Sequence, residues 1–78
     1  MRKLELFQSV VLERDLKPPD VSVRLSKGTF GAVVELLKRD GAAVEFFAES
    51  GQTIDVAFIP EVYVRPATDA EIEAHLSG

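Results

Sequence analysis

The fold prediction rests on one stretch of the sequence, Lys27-Gly28-Thr29-Phe30-Gly31-Ala32-Val33-Val34-Glu35-Leu36. It holds a glycine turn, a second glycine where a strand would begin, and then side chains that alternate with the period of two typical of a half-buried strand. A glycine inside a strand marks a bulge, a bend or a close backbone approach, so we expect Gly31 to lie against another segment. A helical stripe is the competing interpretation, carried by Phe30, Val33, Val34 and Leu37. The glycines before it and Asp40-Gly41 after it leave too little length for a stable helix, which favours the strand.

On either side of this stretch, the pattern predicts further short strands over 9–12, 43–48, 53–58 and 61–65. The predicted inward side chains are Phe30, Ala32, Val34 and Leu36 on the central strand and Val10, Leu12, Val44, Phe46, Ile54, Val56 and Phe58 on the others. Phe47 is predicted to point outward. A long loop covers 13–26, where Pro18-Pro19 excludes a helix.

The turn at Asp40-Gly41 predicts a hairpin. A two-residue loop there would pair Leu36 with Glu45 and bring the glutamate into the core, because paired residues share a face. We therefore expect a bulge or an odd-numbered loop. The resulting change of register would place Leu36 beside Val44 and Val34 beside Phe46.

Thr68-Asp69-Ala70-Glu71 matches a capping box, with Thr68 as the N-cap and Glu71 reaching back to it. It predicts a short helix over about 69–76. The expected fold is mainly β: a small five-stranded antiparallel SH3-like (KOW-type) barrel with a short C-terminal helix. Residues 1–78 would form one domain with its core in 7–66.

The residue types for catalysis are largely missing. There is no cysteine, so no disulfide or thiolate metal site exists, and His75 is the single histidine. The segment 28–31 lacks the further glycine and lysine of a phosphate-binding loop. Glu13, Asp15 and Asp20 could hold a hard cation, but their spacing matches no ligand loop and favours a solvated loop. We expect no enzyme activity, no cofactor and no metal.

Charge is uneven along the chain. The net charge is −4: residues 1–40 hold eight Lys/Arg against six Asp/Glu, whereas residues 41–78 hold Arg65 against seven acids. This balance disfavours nucleic-acid binding, which depends on phosphate neutralisation. The basic residues also divide, with Arg14, Lys17, Arg24 and Lys27 expected at the opposite end of the barrel from Lys38 and Arg39. No apolar run approaches the length of about 18 residues that a membrane span needs, so we expect a cytoplasmic protein.

Residues 25–65 resemble the KOW-type barrel of bacterial transcription elongation factors and some ribosomal proteins, through the turn at Gly28, the Gly31-Ala32-Val33-Val34 strand, the hairpin and the terminal strand. Residues 6–66 are more similar to a family of small bacterial proteins described as a domain of unknown function. The similar segments are Phe7-Gln8-Ser9-Val10-Val11-Leu12, Leu25-Ser26-Lys27-Gly28, Gly31-Ala32-Val33-Val34-Glu35, Glu45-Phe46-Phe47, Gly51-Gln52-Thr53 and Val64-Arg65-Pro66. The resemblance implies an SH3-like fold and brings no catalytic residues; segment 18–24 departs from the shorter loop of that family.

The remaining feature is an outward apolar face. Val33, Leu37, Phe47 and Tyr63 are its candidate protein-binding residues. Alternatively, the termini cover this face through Leu4, Phe7, Ile72 or Leu76. The sequence thus predicts a non-catalytic protein-interaction module that binds another protein or itself. The alternatives are a KOW-type nucleic-acid-binding accessory protein and an immunity or antitoxin-like partner of a toxic enzyme, which the acidic C-terminal half supports.

Overall fold

One antiparallel sheet forms the body of the protein, whose computed structural model describes residues 4–77. Its strands are β1 (Ser9–Leu12), β2 (Phe30–Leu36), β3 (Gly41–Phe47), β4 (Thr53–Pro60) and β5 (Val64–Pro66). A 3₁₀ turn, Glu61–Tyr63, stands where the sequence predicted the start of the last strand, and helix α1 (Asp69–Ser77) follows β5. The strand order is β4-β3-β2-β1-β5, so β4 and β5 are the edges. The predicted mainly β, barrel-like fold with a C-terminal helix is confirmed. No helix within 4–77 has the length and apolar character needed to cross a membrane.

The central stretch forms β2 as predicted, and Gly31 lies at a close contact with β3. Gly31 is directly opposite Phe46. A Cβ atom on Gly31 would lie 2.8 Å from the carbonyl oxygen of Glu45 and 3.0 Å from Cδ1 of Phe46. Only glycine therefore fits here without a shift of the neighbouring strand.

The faces of β2 differ from the prediction. The register pairs Gly31 with Phe46, Val33 with Val44 and Leu36 with Ala42, with an irregularity between Val33 and Glu35. The turn contains three residues, Lys38 to Asp40. A hydrogen bond of 2.9 Å from the N–H of Leu37 to the carbonyl of Gly41 closes it. The expected bulge and the odd-numbered loop both occur, but the predicted partners of Val34 and Leu36 are wrong.

The bulge reverses the alternation within β2. Val34 is the extra residue, so the inner face is occupied by Val33 before the bulge and by Leu36 after it. Val33 is completely buried, and its predicted outward position is wrong. Phe30, Ala32 and Val34, predicted inside, are only half-buried.

Strand β4 is also turned over relative to the prediction. Ile54, Val56 and Phe58 were expected inside but are 40%, 44% and 68% exposed, whereas Ala57 and Ile59 are buried. The register explains the difference, because Ala57 lies opposite Val44 and Ile59 opposite Ala42, and opposed residues share a face.

The core recruits side chains from outside the sheet. Besides strand residues, it contains Leu4 and three residues of the long loop, Leu16, Val21 and Leu25. Leu16 and Leu25 exchange two backbone hydrogen bonds of 2.8 Å, which draw the two arms of the loop together. They complete a core to which β4 contributes only Ala57 and Ile59 among the described residues.

Helix α1 begins at the predicted capping box. The N–H of Glu71 donates to Oγ1 of Thr68 at 3.1 Å, and the N–H of Thr68 donates to Oε1 of Glu71 at 2.8 Å. The guanidinium of Arg65 donates two bonds of 2.7 Å to the Glu71 carboxylate, which ties the helix to β5. No residue of α1 is buried, so these polar contacts and two ring contacts of His75 hold it in place.

Candidate functional site

The four predicted surface residues do not form one exposed patch. Val33 is buried in the core, and Leu37 is half-buried. Tyr63 packs against the core, with the guanidinium of Arg14 lying 4.3 Å over its ring. Phe47 is half-buried and lies at the open end of the β2–β3 hairpin, away from Leu37, which is next to the turn. The register of the sheet separates these side chains, because the bulge in β2 reverses the face on which Val33 lies.

The ring of His75 lies against two aromatic side chains of the sheet, Phe30 and Phe47. The His75 ring stacks on Phe30, with the centroids 4.1 Å apart and the planes 10° from parallel, and it contacts Phe47 at 5.6 Å. We call these three residues the His75 stack. The idea that the C-terminal helix covers Phe47 is therefore correct, but the contact is made by His75, which was not among the expected residues; two of those, Phe7 and Leu76, are 77% and 79% exposed.

The signal for this contact was present in the chain. Phe30 and Phe47 lie directly opposite each other in the sheet. Glu71 is anchored on Arg65, and His75 follows it by four residues, which places both on one helix face. Finding the contact required the register of the sheet and the position of the helix together.

Two open depressions, each of about 400 Å³, flank the His75 stack. Gly28, Phe30, Glu49 and His75 line both of them. The histidine occupies one face of the Phe30 ring, so this face is not free to stack on a base or another flat ligand. The stack thus serves as a contact between helix and sheet.

One of the loop carboxylates, that of Asp15, has a structural contact as well. The Oδ1 atom of Asp15 accepts a hydrogen bond of 2.7 Å from the N–H of Lys27, which closes the base of the long loop. Within residues 4–77, no group of three or more histidine and acidic side chains is placed to hold a metal ion.

The most exposed apolar feature on a strand is the outer face of β4. Ile54, Val56 and Phe58, which we call the β4 row, alternate along this strand with Asp55, Ala57 and Ile59. Strand β4 is an edge strand, and a long apolar edge is a place where another chain can pair. Contiguous exposed apolar side chains in a soluble domain mark interaction sites.

A narrower depression, of about 290 Å³, runs along the same strand. We call it the β4 groove; its walls are residues 19–22 of the long loop and residues 55–58 of β4. Consecutive residues of a strand point to opposite faces, so a depression that touches four in succession follows the free edge of the strand. The groove therefore gives access to the backbone of β4.

The charged side chains of the β4 groove are both acidic. Asp20 and Asp55 line it, and no lysine or arginine does. The Oδ2 atom of Asp55 is buried and has no hydrogen-bond partner among the described residues. A buried carboxylate oxygen without a donor is unfavourable, and few such atoms occur in folded proteins. The groove is therefore lined by an acidic residue, one of whose carboxylate oxygens has no donor among the described residues.

The chain matches a known protein family over most of its length. Residues 6–66 match the family described as a domain of unknown function, DUF4926. The chain belongs to the DUF4926 family. The predicted similarity to a family of this description is confirmed, and the matched region contains all five strands and both walls of the β4 groove. Helix α1 lies beyond the matched DUF4926 region, so the His75 stack joins this region to a segment outside it. No curated protein matches the chain.

Proposed function

We propose that this DUF4926 protein is a non-catalytic protein-interaction module that binds its partner through the β4 row. The observation that supports the proposal is the exposure of Ile54, Val56 and Phe58 along an edge strand. Complete burial of such a side chain favours association by about 1.5–3 kcal/mol relative to full exposure. The row would gain most of this at Phe58, which is 68% exposed.

Several features favour a protein partner over nucleic acid. The net charge is −4, and both charged side chains of the β4 groove are acidic. Arg65 is paired with Glu71, Arg14 lies over Tyr63, and His75 covers a face of the Phe30 ring. A KOW-type nucleic-acid-binding role therefore ranks second. An immunity or antitoxin-like role is a form of the first proposal, in which the partner is a toxic enzyme.

The test compares surface variants by capture from a lysate of the native host. Val56→Ser with Phe58→Ser changes the β4 row, and Val62→Ser is the matched control because Val62 is 66% exposed outside the row. We expect the double variant to lose the protein partners that the wild type enriches, whereas Val62→Ser keeps them. The free energy of unfolding should stay within about 0.5 kcal/mol of wild type in all cases, as is usual for surface changes.

Two results would contradict the proposal. One is equal enrichment of the same proteins by the double variant and the wild type, which would place the docking surface elsewhere. The other is the absence of any protein that the wild type enriches over an unrelated domain of similar charge.

A further inference from the structure

We propose that the β4 groove receives an extended basic segment of the partner protein, which adds a strand to β4 and directs a lysine or arginine at Asp55. This inference rests on the proposed function and names the chemistry of the partner.

The first step is the free edge. Strand β4 pairs with β3 on one side, and no other strand among residues 4–77 pairs with its second side. An added strand gains backbone hydrogen bonds along such an edge, and its alternate side chains give specificity. The β4 row would contact every second side chain of the incoming strand.

The second step is charge complementarity. The groove is lined by Asp20 and Asp55 and by no basic side chain of the described residues, among which Oδ2 of Asp55 is buried without a donor. A lysine or arginine opposite Asp55 would donate a charge-assisted hydrogen bond to the carboxylate of this residue. A charged residue directed inward at an edge also disfavours strands that cannot neutralise it. Asp55 would therefore select basic segments over other extended chains.

A second copy of the chain meets these conditions less well. Antiparallel self-pairing centred on Val56 would align Ile54 of one copy with Phe58 of the other, so the apolar residues match. However, Asp55 would then face Ala57, which has no side-chain donor. Centring the pairing on Asp55 would bring two carboxylates together, which is destabilising. Strand β4 itself contains no lysine or arginine.

The geometry defines a probe. A strand antiparallel to β4 would place apolar residues opposite the β4 row, a small residue opposite Ala57 and a basic residue opposite Asp55. A fluorescent peptide with the sequence Thr-Val-Ala-Val-Arg-Val-Thr has this pattern. The comparison peptide carries glutamate in place of arginine.

The experiment measures binding of both peptides to the full chain by fluorescence anisotropy. We expect the arginine peptide to bind at least about tenfold more tightly than the glutamate peptide, because only the former can donate to the carboxylate. Asp55→Asn should remove most of this preference, and Phe58→Ser should weaken both peptides. Asp69→Asn is the matched control, since Asp69 is an exposed acid on α1, and it should leave the preference unchanged.

Circular dichroism of each variant verifies folding, and the near-isosteric Asp55→Asn keeps the comparison interpretable. Equal binding of the two peptides, an unchanged preference in Asp55→Asn, or no binding to the wild type would overturn the inference. Self-association that Phe58→Ser abolishes, without any preference for the basic peptide, would overturn it in favour of a homodimer. In that case the proposed function would stand without the basic segment. It would also stand if the peptide test fails but the double variant Val56→Ser with Phe58→Ser loses the partners that the wild type captures from the lysate.

Discussion

Replacing Phe46 by alanine removes the largest fully buried side chain of the core. Such changes lower the free energy of unfolding by about 3–5 kcal/mol. Gly31 lies opposite Phe46 and has no side chain that could move into the space, so we expect a loss of about 4–5 kcal/mol, the upper part of that range. A chain of 78 residues has a total stability of only about 4–12 kcal/mol, so this single change can unfold it.

The partner change is Gly31→Ala, and the two changes should not be additive. The new methyl group would lie 2.8 Å from the carbonyl oxygen of Glu45, 2.9 Å from Cγ1 of Val44 and 3.0 Å from Cδ1 of Phe46. We expect this variant to lose about 1–3 kcal/mol, as overpacked sites do. In the double variant the Phe46 contact disappears, and the methyl group fills part of the cavity. The combined loss should be smaller than the sum of the single losses by about 0.5–1.5 kcal/mol.

The assay is urea unfolding followed by circular dichroism for the wild type, both single variants and the double variant. If Phe46→Ala is unfolded without urea, Phe46→Leu replaces it; this change leaves a smaller cavity and should lower stability by about 1–2 kcal/mol. Additive losses within about 0.5 kcal/mol would refute the reasoning, because they would mean that the methyl group is strained against Glu45 and Val44 and not against Phe46.

Three further predictions concern α1 and the N-terminal segment. Hydrogen bonds from Arg65, with a further bond from the N–H of Thr68, lower the pKa of Glu71 to about 2, below its usual value near 4.5. The carboxylate therefore stabilises α1 fully above about pH 4.5, and this support should be lost as pH falls towards about 2. Amide NMR shifts of the helix would record this loss, and Glu71→Gln should lack the transition. A transition of Glu71 near pH 4.5 would contradict its contact with Arg65. His75→Ala should speed proteolysis within α1 while lowering barrel stability by no more than about 1.5 kcal/mol, the upper value for an aromatic pair; unchanged proteolysis would show that the ring does not hold the helix. Glu61→Ala should lower the free energy of unfolding in urea by about 1–3 kcal/mol, because the buried carboxylate accepts the Leu4 N–H at 3.2 Å; a loss as large in Glu61→Gln would mean that the charge, and not the acceptor, is what matters.

Local signals in the sequence were sufficient wherever one segment determines its own conformation. The capping box at Thr68 and Glu71 forms as predicted, since its two hydrogen bonds join residues three apart. Strand β1 and the central strand follow from their alternation, and the close contact at Gly31 follows from a glycine inside a strand. Phe46 was correctly assigned to the core because Val44 and Phe46 form an uninterrupted apolar row with Ala48.

The candidate surface depended on pairings that no single segment contains. In β4 the row Ile54, Val56 and Phe58 is more apolar than its alternate face, and hydrophobicity alone predicts that this row lies inside. Its register with β3 places Ala57 opposite the inward Val44, and the whole apolar row then faces outward. Because side chains alternate with a period of two, a shift of one residue exchanges every side chain between core and surface.

The sequence by itself therefore determined most of the elements: four of the five strands, where α1 begins and which glycine must lie against a neighbour. It did not predict the 3₁₀ turn Glu61–Tyr63 before β5. Only the tertiary structure decided their faces, since the bulge at Val34 and the register of β4 depend on contacts between strands. It also brought residues 19–22 beside residues 55–58, which created the β4 groove, where Oδ2 of Asp55 has no donor among residues 4–77. The physical reason is that backbone propensity acts over a few residues, whereas the choice of the buried face depends on how the whole core is filled, here with side chains from the long loop.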